Sequence, residues 1–299
     1  MAYMEIKKRE GKKYFYRVKS IRKDGKVGKK RVYLGVNLNK EKIKKLVEKA
    51  DRELMLLSTL LSDKERKELE TIKRRYSKEP KIFSENKYET FVSLFTYDST
   101  NIEGNTLTLQ ETSQLLFEGI TPRKSIREIN EVINHKEAFD FILGYKKDIS
   151  KEFILKLHEI VVKNTLKSEL KNQIGKYRNI QVYIRGAKWI PTKPENVPME
   201  MASLLSWYTK NKINLHPLIL VAYFHSAFET IHPFVDGNGR VGRLLINFIL
   251  HRSKYPMVNI PNKIKYRYYK ALESSQIKGE LRPFIILLFN LLKHEKIRF

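Results

Sequence analysis

The stretch His232-Pro-Phe-Val-Asp-Gly-Asn-Gly-Arg-Val-Gly-Arg243 decides how the rest of this chain is interpreted. It places a histidine, a carboxylate, a glycine-rich turn and two arginines within twelve residues. Few structural roles require that combination, whereas chemistry on a nucleotide phosphate requires a base, a metal ligand and an anion-binding loop. The stretch therefore predicts a phosphate-transfer site built on a tight loop.

A dinucleotide-binding loop is the first alternative, because Gly237, Gly239 and Gly242 have the G-x-G-x-x-G spacing. That fingerprint follows a strand and is followed by an acidic residue about 20 positions later. Here the preceding residues have helical periodicity, and no acidic residue lies between Asp236 and Glu273. The context argues against the dinucleotide interpretation and favours the order helix, loop, helix.

The loop and the helix after it have the features of a polyphosphate cradle. Gly237 and Gly239 let the backbone turn and direct its N–H groups inward. The next helix, predicted to start near Arg240, adds the partial positive charge of its N-terminus. Arg240 and Arg243 are three residues apart and share one helix face, so both guanidinium groups can hold one polyphosphate.

The remaining polar residues of the loop complete a reaction site. Asp236 suits Mg²⁺, which binds one or two carboxylates together with phosphate oxygens. Asn238 can donate a hydrogen bond to a phosphate oxygen. His232 lies at the entrance to the loop, where a neutral imidazole can accept a proton from an attacking hydroxyl group.

Composition limits the class of protein. The chain has 299 residues, of which 41% are hydrophobic, enough for a sizeable core in one large domain or two smaller ones. It contains no cysteine, which excludes disulfides and thiolate chemistry and fits a reducing compartment. No apolar run reaches membrane-spanning length, and the charged N-terminus is unlike a signal peptide. We expect a cytoplasmic protein that does not enter membranes.

Positive charge is concentrated at the N-terminus. Residues 1–40 contain 14 Lys/Arg and three Asp/Glu, a net charge of +11 within a total of +26. Alternating residues in 12–35, with Asp24-Gly25 as the turn, predict two strands. This segment could bind nucleic acid or could be a solvated appendage, and its basic charge alone does not decide between them.

Most of the remaining chain is predicted to be helical. Helix starts are predicted at three capping boxes, Ser62 with Glu65, Thr108 with Glu111, and Ser125 with Glu128. We divide the chain into a small basic β appendage at 1–39, a helical hairpin at 40–76, a linker at 77–86 and a mainly α-helical domain at 88–299. The stretch Gln181–Ile190 alternates around Arg185-Gly186 and predicts an isolated β-hairpin, whose edge could pair with a partner's strand.

The central stretch resembles the signature H-P-F-x-D-G-N-G-R-x-x-R of the Fic (Fido) family of nucleotidyltransferases. The resemblance covers about residues 88–292 and includes Gly175-Lys-Tyr-Arg178 and Gly279-Glu-Leu-Arg-Pro-Phe284. It implies a helical domain that transfers AMP from ATP to a hydroxyl group of a target protein. By the same resemblance His232 is the catalytic base, Asp236 the Mg²⁺ ligand and Arg243 the residue that holds the γ-phosphate, with residues 237–240 cradling the phosphates.

Two further groups of residues gain a role only from this resemblance. The predicted hairpin is similar to the family's flap, which positions the target by strand pairing, and the residues concerned are Val182, Tyr183, Ile184 and Arg185. The adenosine pocket is expected at Tyr268, Tyr269 and Gln276.

A second motif resembles the family's inhibitory pattern. Ser99-Thr-Asn-Ile-Glu103-Gly104 has a serine four residues before a glutamate and a glycine after it, in a helix near residues 99–105. Glu103 could pair with Arg243 and place negative charge where a phosphate must lie. We therefore expect an enzyme that is inhibited by its own glutamate until this contact opens.

The sequence thus predicts an autoinhibited protein adenylyltransferase with ATP as substrate and Mg²⁺ as cofactor. One alternative is a de-AMPylase in which Glu103 orients a water molecule. The other is a nucleic-acid-binding regulator that uses residues 1–40 and senses nucleotides through the Fic site. The target protein, self-modification and a homodimer all stay open.

Overall fold

The computed structural model describes residues 2–23, 26–43, 46–47, 57, 60–78 and 84–294. The chain forms two compact units, Met1–Glu65 and Arg66–Phe299. The larger unit is mainly helical, as predicted. The predicted capping boxes at Ser62, Thr108 and Ser125 are confirmed, each with both reciprocal hydrogen bonds. The predicted limits of the domains, at residues 39, 76 and 88, stay predictions.

The smaller unit is built on a three-stranded antiparallel sheet in the order β1-β2-β3. The strands are β1 (Ala2–Arg9), β2 (Lys12–Lys23) and β3 (Lys26–Val36). The prediction of two strands in 12–35 is confirmed, the turn at Asp24-Gly25 lies outside the described residues, and β1 was not predicted. Its signal is the alternation of Met4 and Ile6 with polar neighbours.

The helices from residue 63 onward are numbered α1 to α10 in chain order. They are α1 (Asp63–Ser77), α2 (Ser84–Ile102), α3 (Leu109–Ser113), α4 (Ile126–Gly144), α5 (Lys151–Val161), α6 (Val197–Asn211), α7 (Pro217–Ile231), α8 (Asn238–Arg252), α9 (Lys265–Lys278) and α10 (Arg282–His294). Helix α1 crosses the boundary between the two units. Helix α1 ends at Ser77 and α2 begins at Ser84, so both ends of the stretch 77–86 are helical, and the linker predicted there stays a prediction.

Helices α7 and α8 form the buried centre of the larger unit. Both are buried on nearly every side, as expected of helices that are surrounded by others. The buried apolar residues of α8 are Val241, Leu244, Leu245, Ile246, Phe248, Ile249 and Leu250. The loop that joins α7 to α8 is therefore held from two sides by rigid elements. Among the described residues, no helix combines the length and apolarity that crossing a bilayer would require.

Candidate active site

The loop between α7 and α8 makes two left-handed turns. Helix α7 ends at Ile231, and His232 adopts φ 50°, which is uncommon and costly for a residue with a side chain. Pro233 then prevents the helix from continuing. Gly237 caps α8 at φ 81°, and a Cβ there would lie 2.8 Å from a methyl group of Val162. The glycine is required at this position, and the strain at His232 is consistent with a functional residue.

The N-terminus of α8 provides an anion-binding surface. The first N–H groups of a helix have no partner within it and attract negative charge. Arg240 and Arg243 project from this first part of α8, and each is only 2% exposed. Two buried guanidinium groups thus lie on the first part of α8, where the phosphate cradle of residues 237–240 is predicted.

Asn238 has a different role from the one its position predicts. Its side-chain oxygen accepts a hydrogen bond from the N–H of Phe234 at 2.9 Å, and its amide nitrogen donates to the carbonyl of Phe234 at 2.8 Å. The side chain is buried and closes the loop on itself. We therefore withdraw the predicted contact between the Asn238 side chain and a phosphate oxygen.

Arg243 is held by the segment at the end of α2 for which an inhibitory role is predicted. Its Nη2 donates to Oε1 of Glu103 at 2.8 Å and to the carbonyl of Ser99 at 2.7 Å, and its Nε donates to the Ser99 hydroxyl at 2.9 Å. Glu103 also lies directly over the cradle, since a Cβ on Gly239 would be 2.1 Å from its Oε1. A carboxylate thus occupies the anion site, and Gly104 ends the segment at φ 102°.

Asp236 is surrounded by hydrogen-bond donors. Its Oδ1 accepts from the N–H of Gly237 at 2.6 Å and from Arg240 at 3.1 Å, while its Oδ2 accepts from Arg127 at 3.3 Å. The carboxylate stays one-third exposed. Within the described residues no cluster of three or more acidic or histidine side chains could hold a metal ion. A single accessible carboxylate fits Mg²⁺ only when phosphate oxygens supply other ligands.

His232 lies close to a buried carboxylate one turn earlier in α7. Its Nδ1 lies 3.7 Å from Oε2 of Glu229. Burial alone would raise the pKa of Glu229, but His232 and nearby positive charge lower it below its usual value. Arg178, 2% exposed, donates from Nε to the carbonyl of His232 at 2.8 Å and also binds the backbone of Ile180 and Thr192. One arginine therefore fixes the backbone of the candidate base and both ends of the predicted flap.

The predicted flap has a turn but no paired strands. Ala187 donates to the carbonyl of Ile184 at 3.1 Å, and Gly186 has φ 80°, so the predicted turn at Arg185-Gly186 is present. Residues 181–190 form no strand ladder, and Tyr183 is 78% exposed. The prediction of a β-hairpin is wrong here because a lone two-stranded ribbon gains too little from its own pairing.

The residues expected in the adenosine pocket have different environments. Tyr268 is buried and its hydroxyl lies 2.7 Å from Nε2 of His225, so it belongs to the core beside the site. Tyr269 is 42% exposed and donates to the carbonyl of Ile102 at 3.2 Å, next to Glu103 in the sequence. Gln276 is half-buried two turns further along α9.

Several residues of the site have no role in the sequence-based interpretation. Glu131 on α4 lies 3.8 Å from Arg240 and accepts hydrogen bonds from Arg127 at 3.1 Å and from Asn105 at 3.0 Å. This network connects the predicted inhibitory segment to α8. Of the residues that the sequence-based interpretation missed, Glu229 had a local signal, because it precedes His232 by three helical positions. Glu131, Arg127 and Asn105 had none, because they lie more than 100 residues before α8.

Comparison with known proteins agrees with this geometry. Residues 148–250 match the model of the Fic/DOC family. The chain is 38% identical over 199 residues to the protein adenylyltransferase fic-1 of Caenorhabditis briggsae, a match that covers 64% of this chain and 38% of that protein. The chain thus spans little more than a third of the length of this curated relative.

Two solved structures have a similar fold. A Fic-domain-containing signalling protein from Bacteroides thetaiotaomicron has a TM-score of 0.69 and 29% identity, covering 77% of this chain and 94% of that one. Fic-1 from Caenorhabditis elegans has a TM-score of 0.68 and 28% identity, covering 86% of this chain and 76% of that one.

Proposed function

Because this chain contains a Fic/DOC-family domain in residues 148–250, we propose that it is a protein adenylyltransferase, which moves AMP from ATP to a hydroxyl group of a protein. One observation carries the proposal: the Glu103 carboxylate lies over Gly239 at the N-terminus of α8 and pairs with the buried Arg243, in the place where we expect a phosphate to bind. The naming of the curated relative as a protein adenylyltransferase supports it.

The reaction follows from the positions of these groups. The hydroxyl oxygen of a Tyr, Ser or Thr side chain attacks the α-phosphorus of ATP, and His232 accepts its proton. The new phosphorus–oxygen bond forms as the bond to the bridging oxygen breaks, and pyrophosphate leaves with that electron pair. The helix N-terminus and Arg243 stabilise the charge on the phosphates.

Mg²⁺ is the cofactor that this site suits. Asp236 would hold it together with phosphate oxygens of ATP, and the ion would neutralise charge on the leaving group. Arg127 and Mg²⁺ would compete for this carboxylate, because the guanidinium group lies 3.3 Å from its Oδ2. Asp236 is exposed enough for that exchange, which supports its assignment as the metal ligand.

The same geometry supports autoinhibition by Glu103. The Glu103 carboxylate satisfies the guanidinium group of Arg243, which would otherwise be free to bind a phosphate. Glu103 lies over Gly239, so a phosphate group and the carboxylate compete for one place. ATP bound beside Glu103 would have its α-phosphate misaligned, and small errors of alignment reduce rates by orders of magnitude.

Labelled ATP tests the proposal. The Glu103→Gly protein is incubated with ATP carrying ³²P at the α or the γ position, Mg²⁺ and a cell lysate, and proteins are separated on a gel. We expect label in protein from the α position only. Label from the γ position only would mean phosphorylation and would overturn the proposal, as would label that persists when His232→Ala is added.

A further inference from the structure

The two faces of the N-terminal sheet have opposite character. Residues on one face pack against helical residues that follow the sheet, and together they form a small core. Its members are Met4, Phe15, Val32, Leu34, Leu38, Ile43, Leu46 and Val47. The role of this sheet is not explained by nucleotidyl transfer, because every residue assigned to the candidate active site lies in the other unit.

The opposite face is lined by tyrosine and basic side chains. The strand register places on it Tyr3, Glu5 and Lys7 of β1, Tyr14, Tyr16 and Val18 of β2, and Lys29, Arg31 and Tyr33 of β3. We call these nine residues the tyrosine face. Tyr33 on the edge strand β3 is 53% exposed, and Tyr3 on the other edge strand, β1, is 39% exposed. Large aromatic side chains at such positions are not needed for the small core on the other side.

The tyrosine rings form a connected surface with lysines at its margins. Tyr33 contacts Tyr16 with ring centroids 5.3 Å apart and Tyr14 with centroids 6.4 Å apart. Lys7 Nζ lies 5.7 Å from the centroid of the Tyr16 ring, and Lys29 Nζ lies 5.8 Å from that of Tyr3. Flat rings thus alternate with positive charge across the face.

Positive charge predominates on this face. Its single carboxylate, Glu5, is paired with Arg31 at 3.0 Å and with Lys7 at 3.5 Å, and the Arg31 contact lowers the pKa of Glu5. Residues 1–40 have a net charge of +11. A strongly basic surface attracts polyanions, and the aromatic rings add a preference for flat, uncharged groups between the charges.

We propose that the tyrosine face binds a single-stranded polynucleotide, whose bases stack on Tyr33 and its neighbours while Lys7, Lys29 and Arg31 contact phosphates. Stacking needs bases with free faces, which a single strand offers and a duplex does not. An acidic protein would use the lysines but not the exposed rings.

Fluorescence anisotropy with the full-length protein tests this directly. The probes are a labelled strand of about 16 nucleotides of mixed sequence, as DNA and as RNA, and the same sequence as a duplex. We expect both single strands to bind more tightly than the duplex. Tyr33→Ala should weaken single-strand binding about five- to hundredfold, whereas Tyr33→Phe should retain it, because the ring and not the hydroxyl supplies the stacking.

Matched variants separate stacking from diffuse charge. Tyr266→Ala removes a tyrosine that is 77% exposed in the other unit and should leave binding unchanged. Lys7→Gln combined with Lys29→Gln should reduce the slope of log Kd against log salt by about 1.4. The same change at the exposed Lys64 and Lys67 of α1 should leave that slope unaltered.

Several results would overturn the proposal. They are tighter binding of the duplex, no binding of either single strand at about 0.1 M salt, equal effects of the two lysine pairs, or no effect of Tyr33→Ala. If Tyr33→Ala lowers the melting temperature, Tyr33→Leu is used instead, because it preserves apolar contact without the aromatic ring. Loss of single-strand binding in Tyr33→Leu would then show that the ring is required. The assay does not depend on nucleotidyl transfer, so its failure is distinct from a failure of the proposed enzyme activity.

Discussion

Glu103 and Arg243 form an ion pair of 2.8 Å across 140 residues of sequence. Burial opposes the charge of Arg243, yet the adjacent Glu103 carboxylate raises the pKa of its guanidinium group above the usual value. The arginine is therefore positively charged whether or not ATP is bound. Glu103 is the more exposed partner, with 38% of its side chain accessible. The contact can open by a movement of the carboxylate alone, while Arg243 stays in place for a phosphate.

Replacing Glu103 with glycine should activate the protein. Glu103→Gly removes the carboxylate that occupies the cradle, so ATP can place its phosphates there and align its α-phosphate. We expect at least a tenfold increase in AMP incorporated into the protein itself or into a target, measured with α-labelled ATP.

The exposed Glu118 provides the matched control, because Glu118→Gly makes the same chemical change in the neighbouring segment. It should leave incorporation at the wild-type level. Equal incorporation by Glu103→Gly and wild type would show that Glu103 does not inhibit the site.

The reverse reaction separates inhibition from a second catalytic role. If Glu103 only blocks the cradle, neither the wild-type protein nor Glu103→Gln should release AMP from an AMP-modified peptide. Release is measured by chromatography of free AMP after incubation with Mg²⁺. Release by the wild type that is lost in Glu103→Gln would identify Glu103 as the group that orients water and would favour the de-AMPylase alternative.

Asp236 should bind a divalent cation in competition with Arg127. Asp236→Asn should reduce Mn²⁺ binding in the presence of ATP by at least tenfold, as followed by the EPR signal of free Mn²⁺. Arg127→Gln removes the guanidinium group that lies 3.3 Å from the carboxylate. Because that arginine is half-exposed, the gain in Mn²⁺ affinity should be modest, about two- to fivefold.

The exposed Arg123 is the control for this gain, since Arg123→Gln also removes one positive charge nearby. A similar gain in Mn²⁺ affinity in both arginine variants would mean that the loss of any positive charge has this effect and that the contact of Arg127 with Asp236 is not its cause. Unchanged Mn²⁺ binding in Asp236→Asn would remove Asp236 as the metal ligand.

Local signals in the sequence predicted local structure well. The loop from His232 to Gly237 was predictable because Pro233 restricts its own backbone and Gly237 can adopt the positive φ of a tight turn. The capping boxes at Thr108 and Ser125 involve residues only three positions apart. In each case the interacting groups are neighbours in the chain, so their spacing is visible without a fold.

Contacts between distant residues were not predictable in the same way. Arg178 binds the backbone of His232 across 54 residues, and no pattern near Arg178 indicates that partner. The pairing of Glu103 with Arg243 was predicted only through the family resemblance. The strands predicted at 181–190 failed for the opposite reason, because the alternation there was local and no neighbouring strand supports it.

Two glycine-to-alanine changes should have opposite effects on stability. A Cβ at Gly242 would lie 2.4 Å from Oε1 of Glu229 and 2.8 Å from Cε1 of His225, both of which are buried and have little room to move. Gly242→Ala should lower the free energy of unfolding by about 1–3 kcal/mol. At Gly144, the last residue of α4, nothing lies within 4 Å of the added atom, and alanine should stabilise by about 0.5–1 kcal/mol. Urea unfolding measures both; a stable Gly242→Ala would show that this helix packing can relax.

The stability of the protein should fall between pH 7 and pH 5, partly because of His216. This residue caps α7: its Nδ1 accepts from the N–H of Leu218 at 3.2 Å, and its Nε2 lies 3.1 Å from the Tyr255 hydroxyl. Burial, with a smaller contribution from nearby Arg66, lowers the pKa of His216 to about 4.

The sign of this effect follows from proton uptake. In the unfolded chain a histidine binds a proton near pH 6.5, whereas folded His216 stays neutral down to about pH 4. Its contribution to stability is therefore fully present above pH 6.5 and is lost as the pH falls toward 4, at about 1.4 kcal/mol per pH unit.

His216→Asn keeps a side-chain acceptor at the helix N-cap but does not titrate, so its loss of stability from pH 7 to pH 5 should be about 2 kcal/mol smaller. Urea unfolding at the two pH values measures this difference, with the exposed His294→Asn as control. An identical loss of stability in His216→Asn and wild type would mean that His216 takes up its proton equally in the folded and unfolded states.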